Sequence, residues 1–278
     1  MKALIVFLFA TISFRSFTQA IYGNNAAAGH YLNVGDANIY YEIYGSGKPV
    51  VLLHGGIWGY IDEYKDLIPV LSKKYQVIAI ATRGHGKSEL GSEKFSYQLF
   101  SEDSYKVTRY VTKDSVIVIG FSDGADQAYY LAANHPDVVK KLIAIGGNFG
   151  ATDYSIEDKT FMDHLNADYF HANEKDFMNS RKAIMPDSTR FDEFVNKLAD
   201  VWRDSIYVTK ETIASIQCTT LIAAGESDEW VTIETYTALY RLLKKGHFAI
   251  IPGSGHDVFI PQPKLAIDII TSFIEEAK

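Results

Sequence analysis

The sequence has 278 residues, of which 47% are hydrophobic, with a formal net charge of −7 and a single cysteine. A chain of this length can bury one large hydrophobic core, and a single cysteine cannot form an internal disulfide. The acidic balance argues against binding to nucleic acid or to an anionic membrane surface.

Residues 1–20 have the pattern of a secretory signal peptide. Lys2 is followed by an apolar run over residues 3–14, and Thr18-Gln19-Ala20 places small residues at the two positions that a signal peptidase reads. The run is shorter than the ~20 apolar residues that span a bilayer, and an uncleaved anchor is the alternative interpretation. The single cysteine lies too far downstream for a lipoprotein anchor. We therefore expect cleavage before Ile21 and export to the periplasm or the extracellular space.

The first elements after this segment are predicted to be strands. Residues 30–34 and 38–44 alternate apolar and polar side chains on either side of Gly35-Asp36, which predicts a β-hairpin. The wholly apolar run 50–53 predicts a strand that is covered on both faces. It leads into the glycine-rich loop 54–59, a kind of loop that either cradles a phosphate or presents a backbone N–H to an oxyanion.

Strands and helices alternate from residue 50 to residue 147. Such alternation predicts a parallel sheet built with right-handed crossovers. Beyond the strand at 50–53, the pattern predicts buried strands at 75–81, 115–119 and 138–145, with helices at 103–112 and 126–134.

A nucleotide site is an alternative that this stretch suggests, but the spacing does not fit. Gly86-Lys87-Ser88 is similar to the end of a P-loop, yet Ala81 stands where that motif requires its first glycine. A dinucleotide fingerprint is also incomplete, because Glu89 occupies the position of the third glycine. We interpret this region as a tight structural turn in which Arg83 and His85 make local hydrogen bonds.

The alternation stops over about residues 148–217, which predict an all-helical insertion. We expect most of its apolar stripe to pack onto the main domain. Some of the stripe should line a pocket mouth, because an insertion after the carboxyl end of a strand lies where α/β sheets bind ligands. The stripe consists of Phe161, Leu165, Tyr169, Phe177, Phe191, Phe194, Leu198, Val201 and Trp202.

The pattern of strands and helices then resumes to the end of the chain. It predicts strands at 219–224 and 247–251, each followed by a helix, at 232–244 and about 264–277.

The sequence Gly120-Phe121-Ser122-Asp123-Gly124 joins the predicted strand 115–119 to the predicted helix 126–134. This is the G-x-S-x-G nucleophile elbow, in which the Ser occupies a sharp turn between a strand and a helix. The turn strains the Ser backbone, and a side chain at either glycine would clash with the neighbouring strand or helix. The plain alternative is a strand-to-helix turn with a capping Ser.

Two partners for Ser122 follow the last two predicted strands. Asp228 and His256 each lie just past the carboxyl end of a strand. All three side chains are therefore expected at the same rim of a parallel sheet, in the order Ser, Asp, His. Glu226 is an alternative acid, although the strand-end position favours Asp228.

At these residues the chain resembles the α/β-hydrolase fold serine hydrolases that carry an inserted helical cap. The resemblance implies an α/β domain over residues 21–278, with a mostly parallel eight-stranded sheet, helices on both faces and a cap at about 148–217. In having an Asp directly after the nucleophile, the chain resembles the valacyclovir-hydrolase-like members. One departure is Thr82, which stands at a structural position where many relatives carry Asp. The resemblance covers residues 29–278, and its most specific parts are His54-Gly55-Gly56, Arg83 to Ser88, Gly120 to Gly124, Gly225 to Asp228 and Gly255-His256.

The resemblance also implies a role for each site residue. Ser122 is expected as the nucleophile, His256 as the base and later the acid, and Asp228 as the group that fixes the His tautomer. The backbone N–H groups of Gly56 and Asp123 are expected to bind the oxyanion. Some relatives place the acid after the preceding strand, which makes Asp153 a further alternative.

The predicted activity is hydrolysis of a small-molecule ester, lactone, thioester or amide. No metal or organic cofactor is implied, because the sequence has no H-E-x-x-H motif and no cluster of cysteines. A cofactor-free perhydrolase or haloperoxidase-like activity and a non-catalytic ligand-binding protein of the same fold are the alternatives. Five other histidines are expected to be structural (His54, His85, His135) or at the surface (His164, His171).

Overall fold

One sheet of eight strands organises the part of the chain that the structure, a computed structural model, describes: residues 22–151, 156–204 and 206–276. The strands are β1 (Gly29–Asn33), β2 (Asn38–Tyr44), β3 (Lys48–Leu53), β4 (Tyr75–Ile80), β5 (Val116–Phe121), β6 (Val139–Ile145), β7 (Thr219–Gly225) and β8 (Gly246–Ile251). They lie in the order β1-β2-β4-β3-β5-β6-β7-β8. β2 pairs antiparallel with β1 and β4, and the other neighbouring pairs are parallel, which confirms the predicted fold class.

Helices cover both faces of this sheet. Side chains of α2, α3, α7 and α9 belong to the hydrophobic cluster on one face, and side chains of α1 and α10 belong to the cluster on the other. The α-helices are α1 (Ile68–Leu71), α2 (Tyr97–Val111), α3 (Asp123–Asn134), α4 (Ile156–His164), α5 (Ala167–Asn173), α6 (Lys175–Lys182), α7 (Phe191–Trp202), α8 (Lys210–Ser215), α9 (Ile233–Leu242) and α10 (Pro263–Glu275). Short 3₁₀ helices lie at Ile61–Tyr64 and Ser188–Arg190.

The central strand β5 shows why a wholly apolar run predicts a strand covered on both faces. Val116 and Val118 belong to the hydrophobic cluster on one face of the sheet. Ile117 and Ile119 belong to the cluster on the other. Successive side chains of a strand point to opposite faces, so both sets are withdrawn from water.

Helix α2 begins at Tyr97, six residues before the predicted start at residue 103. The Ser96 side chain accepts a hydrogen bond from the backbone N–H of Leu99 at 3.1 Å and so caps the first turn. Tyr97 and Phe100 are buried in this added part of the helix. The predicted start was therefore wrong because the capping Ser was not recognised as a helix signal.

The described residues between β6 and β7 form helices and no strand. We call residues 156–215 the helical insertion. Its longest helix, α7, buries most of the predicted stripe, including Phe191, Phe194 and Leu198. Within the described ranges, no helix is both long enough and apolar enough to cross a bilayer. The predicted signal peptide and the alternative acid Asp153 lie outside the described residues.

The turn after β4 is structural, but its contacts extend further along the chain than predicted. The Arg83 guanidinium is buried and pairs with Asp103 of α2 and with Asp36 of the hairpin loop. His85 makes the expected local contact, with Nδ1 3.1 Å from the Arg83 carbonyl oxygen. Arg83 therefore ties the turn to two distant parts of the chain, whereas only local hydrogen bonds were expected.

Candidate active site

Ser122 occupies the turn between β5 and α3 with φ 53° and ψ −122°, and it is the only non-glycine residue with positive φ in the described ranges. Residues with a side chain rarely adopt such a conformation. A Cβ on Gly120 would lie 2.2 Å from the Gly124 carbonyl oxygen, and a Cβ on Gly124 would lie 1.9 Å from the Leu53 carbonyl oxygen. Both distances are too short for any side chain. The backbone thus forms the turn that the G-x-S-x-G pattern predicts.

The structure brings the three predicted side chains together. Nε2 of His256 lies 2.9 Å from Oγ of Ser122. Nδ1 of the same ring lies 2.9 Å from Oδ2 and 3.1 Å from Oδ1 of Asp228. When the carboxylate is ionised, Nδ1 carries a proton and donates a hydrogen bond to Asp228. Nε2 is then unprotonated and can accept the proton of the Ser hydroxyl.

Asp228 is held in one orientation by donors from three other residues. The backbone N–H groups of Trp230 and Val231 donate to Oδ1 at 2.9 and 3.0 Å, and the Tyr236 hydroxyl donates to Oδ2. Burial by itself would raise the pKa of Asp228, but the hydrogen bonds from His256, Tyr236 and the backbone outweigh it and hold the pKa below its usual value. The carboxylate is therefore ionised at neutral pH.

Glu226, the alternative acid, does not reach the imidazole. Its carboxylate is exposed and accepts a hydrogen bond from the backbone N–H of Gly253 at 3.0 Å. A different acid, Glu229, accepts a hydrogen bond from the backbone N–H of His256 at 3.0 Å. These two Glu side chains fasten the loop after β8, and of these three acids only Asp228 contacts the ring of His256.

Gly56, the predicted oxyanion residue of the loop after β3, lines the same cavity as Ser122. The neighbouring backbone N–H of Gly55 donates to Oε2 of Glu63 at 2.8 Å. A Cβ on Gly59 would lie 1.8 Å from Oε1 of Glu63, so the loop wraps closely around this carboxyl group. Burial raises the pKa of Glu63 to about 8. Glu63, which the sequence did not indicate as a functional residue, thus holds the predicted oxyanion loop in place through its contacts with Gly55 and Gly59.

The helical insertion contacts the same loop through Arg181 of α6. The Arg181 guanidinium donates to the carbonyl oxygen of Trp58 and lies over the Tyr60 ring, 4.3 Å from its centroid. The indole of Trp58 in turn stacks on Trp202 of α7, with ring centroids 6.0 Å apart. The loop carrying Gly56 is therefore held between the sheet and the insertion.

Asp123, the second predicted oxyanion residue, places a buried carboxylate beside the Ser. Its Oδ1 accepts hydrogen bonds from the Tyr97 hydroxyl at 2.9 Å and from Nε1 of Trp202 at 3.0 Å, and its Oδ2 lies 3.0 Å from the same Nε1. Burial raises the pKa of Asp123 to about 6, although the hydrogen bonds from Tyr97 and Trp202 and the nearby His256 oppose the rise. Asp123 therefore joins α2, α3 and α7 next to the nucleophile.

The site opens into a cavity of about 400 Å³ between the sheet and the helical insertion. Phe161, Tyr169 and Trp202 line it, so three members of the predicted stripe lie at a pocket. Sequence reasoning missed other lining residues, because nothing in the spacing of a Trp or an Asn in a loop indicates which way the chain folds there. The residues missed are Trp58, Asp126, Asn148, Met162, Glu174, Trp230 and Val231.

The other histidines lie away from the trio. His54 is buried, and its Nε2 accepts a hydrogen bond from the backbone N–H of Thr82 at 2.9 Å. His135 pairs with Glu102 of α2, and His171 pairs with Asp192 on the insertion. Among the described residues, no group of three or more His, Cys, Asp and Glu side chains is arranged to hold a metal ion.

Comparison with known proteins gives consistent results. The family model of the α/β hydrolase fold matches residues 48–179. A 2-hydroxy-6-oxo-6-(2'-aminophenyl)hexa-2,4-dienoic acid hydrolase of Metapseudomonas resinovorans is 23% identical over 261 residues, which cover 88% of this chain and 90% of that protein. A non-heme haloperoxidase of Rhodococcus erythropolis is 24% identical over 265 residues, which cover 85% and 96% respectively.

A solved structure shares the fold over most of the chain. The esterase EaEST of Exiguobacterium antarcticum superposes with a TM-score of 0.73 and 22% sequence identity, covering 89% of this chain and all of that one. The family match, the sheet topology and the relatives show that the chain has the α/β-hydrolase fold. It is an enzyme of the α/β-hydrolase type, and its relatives and structural neighbours include a hydrolase, an esterase and a haloperoxidase.

Proposed function

We propose that the chain is a serine hydrolase that cleaves a small ester, lactone, thioester or amide through an acyl-enzyme on Ser122. The observation that carries this proposal is the 2.9 Å contact of Ser122 Oγ with His256 Nε2, whose opposite nitrogen is held by Asp228. Oγ bonds to the carbonyl carbon while Nε2 takes its proton, and the same proton then passes to the leaving group. Water, activated by the same imidazole, releases the acid and restores the Ser hydroxyl.

The charge of the cavity narrows the proposed substrate. Among the described lining residues, Asp123, Asp126 and Glu174 are acidic, and no Lys or Arg side chain is present. A carboxylate on the substrate would meet like charges in a partly dehydrated site, where repulsion is strong. Three Trp side chains add broad apolar and π surface. We therefore propose a neutral or positively charged substrate.

A cofactor-free perhydrolase or haloperoxidase-like activity is the second candidate. Its support is the similarity to the non-heme haloperoxidase of Rhodococcus erythropolis. Hydrogen peroxide in place of water at the acyl-enzyme would release a peracid from the same residues. With bromide present, the peracid oxidises bromide to hypobromous acid, which brominates a phenol reporter. Bromination that requires hydrogen peroxide, a carboxylic acid and bromide would support this activity, and its absence would leave hydrolysis as the activity of the site.

We also propose that the protein is exported, since residues 1–20 have the pattern of a signal peptide. Mass spectrometry of the mature protein from the native host should find an amino terminus near Ile21. Recovery of the full-length chain in the cytoplasm would contradict export.

The test of the proposed nucleophile is covalent labelling combined with substitution. A fluorophosphonate probe should label the wild-type protein at Ser122, and Ser122→Ala should abolish labelling. The same variant should lower the hydrolysis of an activated ester by about 10⁴-fold or more, because the acyl-enzyme cannot form. Circular dichroism should show that the variant is folded. A folded Ser122→Ala protein with the wild-type rate would disprove the proposal.

A further inference from the structure

Asn148 lies in the cavity at a point that the proposed chemistry does not use. It follows β6 after two glycines, and its backbone N–H donates to Oδ1 of Asp126 at 2.9 Å. Asp126 is one turn along α3 from the nucleophile, and its own N–H donates to the Ser122 carbonyl oxygen at 3.2 Å. The segment that carries Asn148 is therefore tied to the nucleophile helix, which fixes its place relative to Ser122.

Close packing on both sides also holds this segment. A Cβ on Gly146 would lie 2.9 Å from Cε1 of His256. A Cβ on Gly147 would lie 2.9 Å from the side chains of both Ala125 and Tyr129. Neither position has room for a side chain, so the segment passes between the His loop and α3. Asn148 is the first residue beyond this passage, and it lines the cavity.

The side-chain oxygen of Asn148 is a buried acceptor that no group satisfies. The residue is only 4% exposed, and Oδ1 has no hydrogen-bond partner among the described residues. A buried polar atom without a partner costs about 1–3 kcal/mol, so natural proteins keep few of them. Asn148 itself lines the cavity next to the nucleophile, so a donor group of a bound substrate can supply the partner that Oδ1 lacks.

We propose that Asn148 is a specificity-determining residue whose Oδ1 accepts a hydrogen bond from an N–H or O–H group of the substrate. Two acidic groups that line the same cavity, Asp126, which contacts Asn148, and Glu174, also favour a donor there. The substrate class is then an ester or amide that carries a hydroxyl, amide N–H or amino group away from the scissile bond, not a simple alkyl ester. This inference rests on the proposed hydrolase function and names the substrate chemistry of the same site.

Pairs of esters that differ only in one donor test the inference. In each pair, a hydroxyl-bearing ester is compared with the isostere that has a methyl group in its place. One series carries the change in the acyl chain and the other carries it in the alcohol. In at least one series, the wild-type kcat/KM should favour the hydroxyl-bearing ester by about tenfold or more, because the isostere leaves the buried oxygen without a partner.

Three variants assign this preference to Asn148. Asn148→Leu has nearly the same shape but no acceptor, and the ratio of the two kcat/KM values should fall towards 1. Asn148→Asp keeps an acceptor oxygen and should keep the preference. Asn179→Leu makes the same change at an exposed position of α6 and should have the wild-type ratio. Thermal unfolding of each variant shows whether the fold is retained.

The outcomes separate this inference from the proposed function. Equal kcat/KM values for both members of every pair in the wild-type protein would overturn the inference, and hydrolysis itself would still support a serine hydrolase. A preference that persists unchanged in Asn148→Leu would also overturn it. No hydrolysis of any ester, together with no fluorophosphonate labelling of Ser122, would overturn both. The wild-type ratio needs no variant, so the inference can fail even if Asn148→Leu does not fold.

Discussion

Two acids only two positions apart on the loop after β7 have different roles, and the difference can be measured. Asp228 contacts Nδ1 of His256 at 2.9 Å, whereas Glu226 accepts a hydrogen bond from the backbone of Gly253. Asp228→Asn should keep the fold but lower kcat by about 10³–10⁴-fold, because an amide presents the wrong hydrogen-bonding group to the imidazole. Glu226→Gln should cost less than about tenfold, since it changes only a loop contact.

Both variants should be assayed on one activated ester, with circular dichroism as the control for folding. A dead Glu226→Gln together with an active Asp228→Asn would show that the acid has been assigned to the wrong residue. If both variants were active, Asp153 would be the next residue to substitute.

At the scale of residues, the sequence predicts the candidate catalytic side chains better than it predicts the residues that line the cavity. Ser122, Asp228 and His256 could be found because each follows the carboxyl end of a strand, and parallel strands bring those ends together. Asn148 and Trp230 also follow strand ends, but the sequence offers no catalytic partner for either. Their positions in the cavity depend on how the loops and the helical insertion pack, which no local pattern specifies.

At the scale of elements, Asp123 is the point where three helices meet. Tyr97 begins α2, Asp123 begins α3 and Trp202 ends α7. The strands could be predicted from their apolar runs or from their alternation of apolar and polar side chains, and most of α3 from its Ala and Leu residues. The first turn of α2 was not predicted because its capping residue, Ser96, was not recognised as a helix signal, and this turn supplies one donor to Asp123.

Substitution of that donor gives a prediction at the same scale. Tyr97→Phe removes a hydrogen bond that lowers the pKa of Asp123, so the pKa should rise above about 6. As the pH is lowered, Asp123 becomes protonated and no longer attracts a cation. The KM for a positively charged ester should therefore begin to increase at a higher pH in Tyr97→Phe than in the wild-type protein. The KM for a neutral ester of the same shape should not show this shift.

The same helix offers a matched control. Tyr110, near the other end of α2, is 66% exposed, and Tyr110→Phe should have the wild-type pH profile for both esters. An unshifted profile in Tyr97→Phe would mean that its hydroxyl does not stabilise the ionised form of Asp123. A shift of equal size for the neutral ester would mean that Asp123 does not act through the substrate's charge.

At the scale of the whole molecule, buried ionisable groups make folding depend on pH. Burial lowers the pKa of His54 to about 4 and raises that of Asp62 to about 6. Because the fold favours the neutral form of His54, the contribution of this group to stability increases as the pH rises from about 4 to 6.5. An acid with a raised pKa behaves in the opposite way, and its contribution to stability decreases as the pH rises. Such opposing contributions partly cancel when the free energy of unfolding of one protein is measured against pH. The contribution of a single group is therefore best measured as the difference between the wild-type protein and a variant that lacks it.

Glu63 should give a large difference of this kind. Its pKa is about 8 in the folded protein and about 4.5 in an exposed Glu. Between these values the native state holds a proton that the unfolded state has released, so the contribution of Glu63 to stability falls as pH rises. Glu63→Gln keeps an acceptor for the Gly55 N–H but does not titrate. Its free energy of unfolding should rise relative to wild type from pH 4.5 to 8, by on the order of a few kcal/mol.

The measurement is denaturant unfolding of both proteins at several pH values across this window. The buried groups that do not interact with Glu63 titrate in both proteins and therefore cancel in the difference. Glu93→Gln, at an exposed Glu, is the matched control, and its difference from wild type should be flat with pH. A flat difference for Glu63→Gln would show that this carboxyl is as well solvated in the fold as outside it. In that case the glycine-rich loop would be held by an ionised Glu63. A difference that falls as the pH rises would mean that the ionised form of Glu63 stabilises the fold.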